Sequence, residues 1–334
     1  MTGCVVLVGR MRAIRIHGTG GPEVLSVDEI DVPTPGRGEA LVRHTAIGVN
    51  YIDTYHRSGL YPLSGLPSVL GVEAAGVVEA LGKGVRGVKV GDRVGYVSGA
   101  PGSYAELRAV SAERLLHLPD GISDETAAAM LLKGMTVEYL IRRTYKVRSG
   151  ESVLFHAAAG GVGLIACQWL RQIGANVIGT VGSEQKAELA RAHGATHTII
   201  YTREDFVERV SELTSGKRLP VVYDSVGRDT FERSLDCLAP RGLLVSFGNA
   251  SGKPPPLELG LLAQKGSLFV TRPTLFNYTA TRKELVASAK ALFDVVNGGH
   301  VKIEIGRRLS LNDAAEAHRL LESRATTGSL VLIP

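Results

Sequence analysis

The chain changes texture along its length. Between residues 11 and about 120, short apolar runs with alternating character ("RAIRIHG", "EALVRHTAIGV", "EAAGVVEALG", "DRVGYV", "SYAELRAV") are separated by turns rich in glycine and proline. Apolar positions of period two between such turns predict strands, here of a compact, partly open barrel. From "SDETAAAMLLKGMTVEYLIRR" onward the pattern becomes helical, with Ser123 as N-cap and Glu125 and Thr126 in the first turn. Strands and helices then alternate: "SVLFH", a helix, "NVIGTV", a helix over 183–193, "HTIIY", a helix over 203–214, "LPVVYDSV", a helix over 228–238, "GLLVSFG" and "GSLFVTRP". That order predicts an α/β protein with a doubly wound parallel sheet. Residues 249–260 read as a loop. A helix over about 281–297, a strand near Val301, a helix over 312–323 and the terminal "GSLVLIP" are expected to return to the first domain. The expected domains are therefore 1–131 with 276–334, rich in strand, and 132–275, doubly wound. Residues 1–10 read as an extension ahead of the first patterned strand, because "CVVLV" is too short for a signal peptide and no small-residue cleavage site follows it.

One segment asks for an explanation beyond packing. "LFHAAAGGVGLIACQWLRQIG" (154–174) runs from a buried strand through small residues into a helix with Leu164, Ala166, Cys167, Leu170 and Ile173 at packing positions. In the Rossmann dinucleotide fingerprint, glycines stand at i, i+2 and i+5, which here are Ala158, Gly160 and Gly163. A diphosphate needs close approach to the free N–H groups of a helix N-terminus, so Ala159, Gly160, Gly161, Val162 and Gly163 are the candidate cradle. A tight turn with no ligand would also account for the glycines. The strand before, the helix after and the second strand "ANVIGTV" favour the dinucleotide.

An NAD site places an acid about 20 residues beyond the glycine turn, at the end of the second strand, to hold the adenosine ribose. That place is Gly182, and Ser183 and Lys186 follow it, as a 2′-phosphate would require. Lys186 is otherwise an ordinary solvated helix lysine, and Glu184 could serve a ribose if its loop turned inward.

Composition narrows the class. No apolar run approaches the roughly 18 residues of a membrane helix. The three cysteines, Cys4, Cys167 and Cys237, are odd in number and widely spaced, which speaks for a reducing compartment, taken to be the cytoplasm, and against a disulfide framework. The net charge of +5 invites nucleic acid, but the basic residues are scattered and no aromatic-interleaved basic stripe exists. The surplus suits a small polyanion such as a phosphorylated cofactor.

With "GPEVL", "GVEAAGVVEALGKGV", "GDRV" and the "AAAGGVG" turn in this order, the chain resembles the zinc-free quinone oxidoreductase (zeta-crystallin-like) branch of the medium-chain dehydrogenases/reductases. "GVNYIDTYHRSGLYP", "FHAAAGGVGLIACQW", "VVYDSVGRDTFERSLDCL" and "ESRATTGSLVLIP" look especially similar to bacterial NADPH:quinone reductases, and the resemblance spans Met11 to Pro334. It implies a GroES-like barrel beside the Rossmann domain, NADPH as cofactor, a small-molecule quinone as substrate and a homodimer paired through edge strands such as "GSLFVTRP". It places Tyr201 and Arg324 with Ser183 and Lys186 around the 2′-phosphate. Asn50 and Tyr55 are implied beside the nicotinamide, with Asp53, Lys133 and Thr136 near, and "SGLYPLSGLP" (58–67) is a plausible rim. Tyr55 is the one candidate proton donor. On the nucleotide side it implies Ser225, Phe247, Gly248 and the "VTRP" segment with Val270 and Arg272. Simpler readings stand beside these: a turn cap for Asn50, a packing ring for Tyr55, a surface lysine for Lys133 and a helix N-cap for Ser225.

Zinc-dependent relatives carry "GxCGxD", "GHE" and a four-cysteine loop. Here the thiolate position is Asn50, the imidazole position is Val72, and the cysteine loop is missing, so no metal is expected. His193 and His197 stand four apart, but Gly194 lies where the helix should end. The rival readings are a zinc-free reductase of enones or alkenals, and a non-catalytic cofactor- or RNA-binding protein.

Overall fold

The computed structural model describes residues 9–324 and 326–334, so most of the expected N-terminal extension, with Cys4, lies outside the described residues. The chain forms two compact units, one of residues 9–132, 279–293 and 303–334 and the other of 133–278 and 294–302.

The first unit begins with strands β1 (Arg10–Ile16), β2 (Leu25–Asp31) and β3 (Glu39–Val49), helix α1 (Tyr51–Arg57), then β4 (Ser68–Val69), β5 (Glu73–Leu81), β6 (Arg93–Val97), β7 (Leu107–Ser111) and β8 (Leu116–His117). Helix α2 (Asp124–Tyr139) follows and passes into a wide π turn over Leu140–Thr144; the division between units falls within it. Ser123 Oγ accepts the Thr126 N–H at 3.1 Å, as the capping signal requires.

In the second unit β9 (Ser152–Phe155), α3 (Gly161–Ile173), β10 (Asn176–Val181), α4 (Glu184–Ala192), β11 (His197–Ile200), α5 (Phe206–Leu213), β12 (Leu219–Asp224), α6 (Phe231–Asp236), β13 (Leu238–Ser246), α7 (Leu259–Gln264), β14 (Phe269–Thr271) and α8 (Leu275–Tyr278) succeed one another. The chain closes with α9 (Arg282–Asn297), β15 (Ile305–Ser310), α10 (Ala314–Glu322) and β16 (Ser329–Ile333).

The second unit's sheet is parallel throughout, in the order β11-β10-β9-β12-β13-β14. The order reverses between β9 and β12, which is the switch point where open α/β sheets take ligands at their carboxyl ends. Leu154, Ile178, Val222 and Leu244 from four adjacent strands, with Phe206, Phe231 and Leu235 from the helices, form its core.

The first unit's larger sheet runs β15-β16-β3-β5-β6-β8, with β7 also on β3, and a smaller sheet runs β2-β1-β4. Ile14, Val42, Ile47, Val78, Tyr96, Tyr104 and Leu330 fill the space they enclose. Pairing of β3 with β5 shifts register between His44 and Ala46, and Gly76 lies opposite His44. A Cβ on Gly76 would stand 1.9 Å from the Arg43 carbonyl oxygen, so only glycine permits the approach.

Two sequence expectations change. No strand forms at Val301: its N–H, like that of His300, goes to the Val295 carbonyl and finishes α9, so the strand starts instead at Ile305. Residues 294–302, expected in the first domain, belong to the second unit. Gln168 on α3 accounts for that, exchanging hydrogen bonds with the Lys302 carbonyl (3.0 Å) and N–H (2.9 Å).

A buried polar network fixes α1. The Asp53 carboxylate accepts the Asn50 N–H (2.8 Å) and the Tyr104 hydroxyl (2.9 Å), and Tyr104 Oη also meets His318 Nε2 at 3.1 Å. His318 Nδ1 lies 3.1 Å from Arg57, which pairs with Glu322 through 2.9 and 2.6 Å bonds. A guanidinium donates only, so Nδ1 accepts and Nε2 carries the proton. The chain of donors therefore runs from His318 through Tyr104 to Asp53. Burial, helped by the Arg57 charge, pulls the His318 pKa down to about 3, and burial pulls His44 to about 4.

Two outcomes follow from this packing. Gly76→Ala should destabilise the chain by about 1–3 kcal/mol in urea unfolding, as an overpacked site does; an unchanged midpoint would contradict the approach described. The lowered histidines set a pH dependence: both are neutral when folded, while the unfolded chain takes up protons below its ordinary value of 6.5. Stability is full above that value and lost as pH falls toward the folded values, by about 1.4 kcal/mol per pH unit for each histidine. His318→Gln should be less stable at neutral pH, yet flatten the slope between about pH 6.5 and 5 by one such increment; the same slope in both chains would remove His318 from the account.

Candidate dinucleotide and acceptor sites

At the end of β9 the chain turns through Ala157, held at φ 55°, and enters α3 with Gly160 as its N-cap. The glycines of the turn differ in what demands them. A Cβ on Gly163 would lie 2.4 Å from the Ala157 oxygen and 2.6 Å from Ala158 C, so the fold itself forbids it. Gly160 meets only the Ala157 oxygen, at 3.2 Å, and a side chain there would chiefly fill the open mouth of the turn. Ala158, where the fingerprint has glycine, has its counterpart on the next strand: a Cβ on Gly179 would come 2.6 Å from the Ala158 methyl. The glycine has in effect moved from the turn to the strand beneath it. Ala159, Gly161 and Val162 complete the rim, and the first N–H groups of α3 have no acceptor within the helix. These features fit a dinucleotide diphosphate.

The adenosine-end residues gather at the ends of β10 and β11. A Cβ on Gly182 would lie 2.9 Å from Tyr201 Oη, so an acid at this place would displace the ring. Ser183 caps α4, accepting the Lys186 N–H at 3.3 Å, and Lys186 is half-buried. Tyr201 is 46% exposed. Glu184, the rival ribose partner, is turned toward Arg191 (3.2 Å) and Arg203 (3.0 Å), whose hydrogen bonds hold its carboxyl below the usual range. Arg324 belongs to the first unit, exposed in a left-handed turn after α10.

Ser225, Phe247, Gly248, Val270 and Arg272 come together at the ends of β12, β13 and β14. Gly248 packs on the Ser225 backbone, Phe247 on Phe155 at 5.8 Å, and Arg272 donates to Ser246 Oγ (3.1 Å) and the Gly248 carbonyl (2.9 Å). Val270 lies opposite Leu244 in the β13–β14 ladder. Ser225 is no helix cap: Asp224 accepts the N–H groups of Val226 (2.8 Å) and Gly227 (3.1 Å), and the N-cap of α6 is Thr230. Lys133 is 7% exposed and Thr136 is likewise buried, so the reading of Lys133 as a surface residue fails.

In the first unit, Asn50 is the N-cap of α1 and is buried. Its Nδ2 donates to Glu73 Oε2 at 2.8 Å, and Glu73 Oε1 accepts the Leu132 N–H at 2.6 Å. Because Glu73 accepts from the amide, the Asn50 oxygen is turned the other way, and Asn50 Oδ1 has no hydrogen-bond partner among the described residues. A buried acceptor left in this state is a place where a ligand donor fits. Asp53 acts on the helix, as described above. Tyr55 is almost wholly buried between Tyr51 (centroids 6.3 Å apart) and Tyr61 (5.2 Å, edge to face). Tyr61 went unread in the sequence, although it lies within the 58–67 loop. Glu73 was visible only as the third residue of a lost metal motif.

Val72, at the imidazole place of zinc relatives, is buried in the core. Gly194 (φ 105°) stops α4, so His193 bonds back to the Leu189 carbonyl (2.8 Å) while His197 stands exposed in β11. Among the described residues, no group of three or more His, Cys, Asp and Glu is placed to hold a metal ion, and no helix is long and apolar enough to cross a membrane.

Comparison with known proteins agrees with this architecture. Residues 36–120 match the "Alcohol dehydrogenase GroES-like domain" family and residues 161–290 the "Zinc-binding dehydrogenase" family. The chain is 57% identical to the quinone oxidoreductase of Pseudomonas aeruginosa over 97% of its own length and 99% of the relative's. It is 46% identical to a 2-haloacrylate reductase of a Burkholderia species, covering 96% and 98%. The crystal structure of Escherichia coli quinone oxidoreductase complexed with NADPH superposes with a TM-score of 0.95 at 53% identity, covering 97% of this chain and all of that one. The parallel sheet with its bare turn, the barrel that carries Asn50 in place of a thiolate, and identity along nearly the whole chain place the protein in the quinone oxidoreductase family of the medium-chain dehydrogenases/reductases.

Proposed function

We propose that this chain transfers a hydride from NADPH to a quinone without a metal ion. The observation that carries the cofactor assignment is Gly182 set against Tyr201, which removes the acid of an NAD site and leaves Ser183, Lys186 and the α4 N-terminus around the space. When bound, NADPH supplies the hydride from its nicotinamide. The residues of the chain supply position. The N–H groups at the start of α3 hold the diphosphate, and Ser183, Lys186 and Tyr201 hold the 2′-phosphate, with Arg324 assigned to it by family resemblance.

Ser225, Phe247, Gly248, Val270 and Arg272 line the nucleotide path, and Lys133 and Thr136 are assigned to the nicotinamide end. Asn50 Oδ1 accepts a hydrogen bond from cofactor or acceptor, and Asp53 holds Asn50 in place. Hydride addition to a quinone gives a hydroquinone anion, which takes its proton from solvent, so no protein acid is obligatory; Tyr55 is the only donor we assign. In support of metal independence, the family's thiolate and imidazole places hold Asn50 and Val72.

A second reading has its own support. The 2-haloacrylate reductase relative carries a name for reduction of an activated alkene, and such an acceptor needs the same cofactor geometry. We assign the chain to the cytoplasm, consistent with Cys167 and Cys237 being free and buried. We also assign it a two-fold homodimer, consistent with β14 as a sheet edge whose Phe269 is 60% exposed.

Lys186→Ala should weaken NADPH by about 1.5–3 kcal/mol, roughly ten- to over a hundredfold, with NADH unmoved; equal losses by titration would take Lys186 out of the phosphate site. Turnover with NADPH should be faster with 1,4-benzoquinone or 9,10-phenanthrenequinone than with an enone or 2-haloacrylate. The reverse order would establish the alkene reading, and tight NADPH binding with no turnover of either class would establish a non-catalytic role. Activity should survive prolonged chelation.

A further inference from the structure

Beneath the glycine turn lies a polar cluster that the proposed reaction does not use. His156, the last residue before the turn, is buried, with Nδ1 2.9 Å from Thr180 Oγ1 and Nε2 2.9 Å from Ser234 Oγ. Ser234 donates its hydroxyl to the Thr230 carbonyl at 2.8 Å, so toward His156 it accepts, and Nε2 carries the ring proton. Nδ1 of the neutral ring is then an acceptor, and Thr180 donates its hydroxyl there. Thr180 Oγ1 keeps its lone pairs for the Ala157 N–H at 3.3 Å, while the Thr180 carbonyl takes the Ala158 N–H at 3.0 Å.

One residue of β10 thus grips the first two N–H groups of the turn. Ala157 is there in a left-handed conformation that a non-glycine residue adopts at some expense and only when its surroundings impose it. Its carbonyl oxygen is the atom against which both Gly160 and Gly163 are set, and it accepts the Gly160 N–H at 2.9 Å. Burial lowers the pKa of His156, against a smaller opposing effect of Asp224, which keeps the ring in the neutral state the bonds require. The Phe206 ring covers it edge-on at 5.1 Å.

We propose that His156, acting through Thr180, is a positioning residue for the diphosphate: it orients the threonine hydroxyl that holds Ala157 in its left-handed turn and so sets the N–H groups of Ala159 to Gly163. The assignment rests on the dinucleotide reading of the turn. Ser234 anchors the far side of the ring, so α6 shares in shaping a site it does not line.

The test separates positioning from general stability. Thr180→Val keeps the shape and loses the hydroxyl; Thr180→Ser keeps the hydroxyl. Thr180→Val should weaken NADPH and NADH alike, by roughly three- to tenfold, the range of one neutral hydrogen bond. KM for NADPH should rise with kcat at saturation unchanged. Adenosine 2′-monophosphate, which carries the 2′-phosphate but no diphosphate, should bind as to the parent chain, and Thr180→Ser should behave as the parent. Ser234→Ala should shift NADPH affinity in the same direction and supplies the measurement if Thr180→Val does not fold. Parent-like NADPH binding by Thr180→Val or by Ser234→Ala would overturn the proposal, as would a proportional loss of adenosine 2′-monophosphate. Failure of the parent chain itself to bind NADPH would instead overturn the dinucleotide reading.

Discussion

A diphosphate can be held by main chain only where main chain is bare, and that constraint organises the second unit. The N–H groups at the start of α3 are useful because nothing upstream in the helix accepts them. Exposing them needs a strand that passes into a helix almost without side chains. Gly163 is closed off by the Ala157 carbonyl and Ala158, and Gly160 is left open. The closeness of the turn then propagates into its neighbours. Ala158 needs a glycine at 179, and Ala157 needs a left-handed backbone that Thr180 holds from below. A site defined by missing atoms thus depends on what stands behind it.

The first unit solves a different problem, how to hold a polar side chain in an apolar setting with one acceptor still to offer. Asn50 is fixed from two sides, its N–H by Asp53 and its Nδ2 by Glu73. Asp53 is in turn held by Tyr104, His318 and Arg57, a series ending on Glu322 near the surface. Along this series the Asn50 N–H, the Tyr104 hydroxyl, the His318 ring N–H and the Arg57 guanidinium each have a partner, as burial demands. Asn50 Oδ1, which has no hydrogen-bond partner among the described residues, belongs to the residue that stands where zinc relatives place a thiolate. Under the proposed reading, an oriented dipole takes the place that a cation's ligand has in a metal-binding relative.

How far the sequence reveals this depends on how local each interaction is. The sheet of the second unit was legible because its strands and helices alternate with fixed periods, Ser123 because a cap signal is local to its own helix, and the packed state of Gly163 because it follows from its place in one turn. Ser225 was not, since the neighbouring Asp224 takes the N–H groups a cap would take. The Asp53–Tyr104–His318 series joins residues 51 and 214 positions apart, and nothing in local pattern marks a tyrosine in a strand or a histidine on an apolar helix stripe as members of one network. The surface reading that stands beside the cofactor reading of Lys133 rests on lysine being ordinarily exposed; only the packing of α2 shows otherwise. The strand expected at Val301 failed for a local reason, since the Val295 carbonyl near the end of α9 takes the N–H groups of His300 and Val301 that a ladder would need.

These two solutions bear on why one scaffold serves acceptors as different as quinones and activated alkenes within a family. Both acceptors need a hydride at a fixed distance, and neither needs a strong acid for it. Under the proposed assignment, the exposed charges and backbone donors belong to the nucleotide end, while Tyr55, assigned to the acceptor, lies in a cluster of rings with Tyr51 and Tyr61. An aromatic wall favours flat, polarisable partners by contact area and ring geometry without requiring a particular hydrogen-bond pattern. Under the proposed assignment, cofactor choice is set by discrete features, Gly182, Tyr201 and Lys186, that a single substitution would reverse. Acceptor choice would then be a matter of shape, and shape in an aromatic cluster changes by degrees, in keeping with a relative 46% identical to this chain that carries a name for a different acceptor.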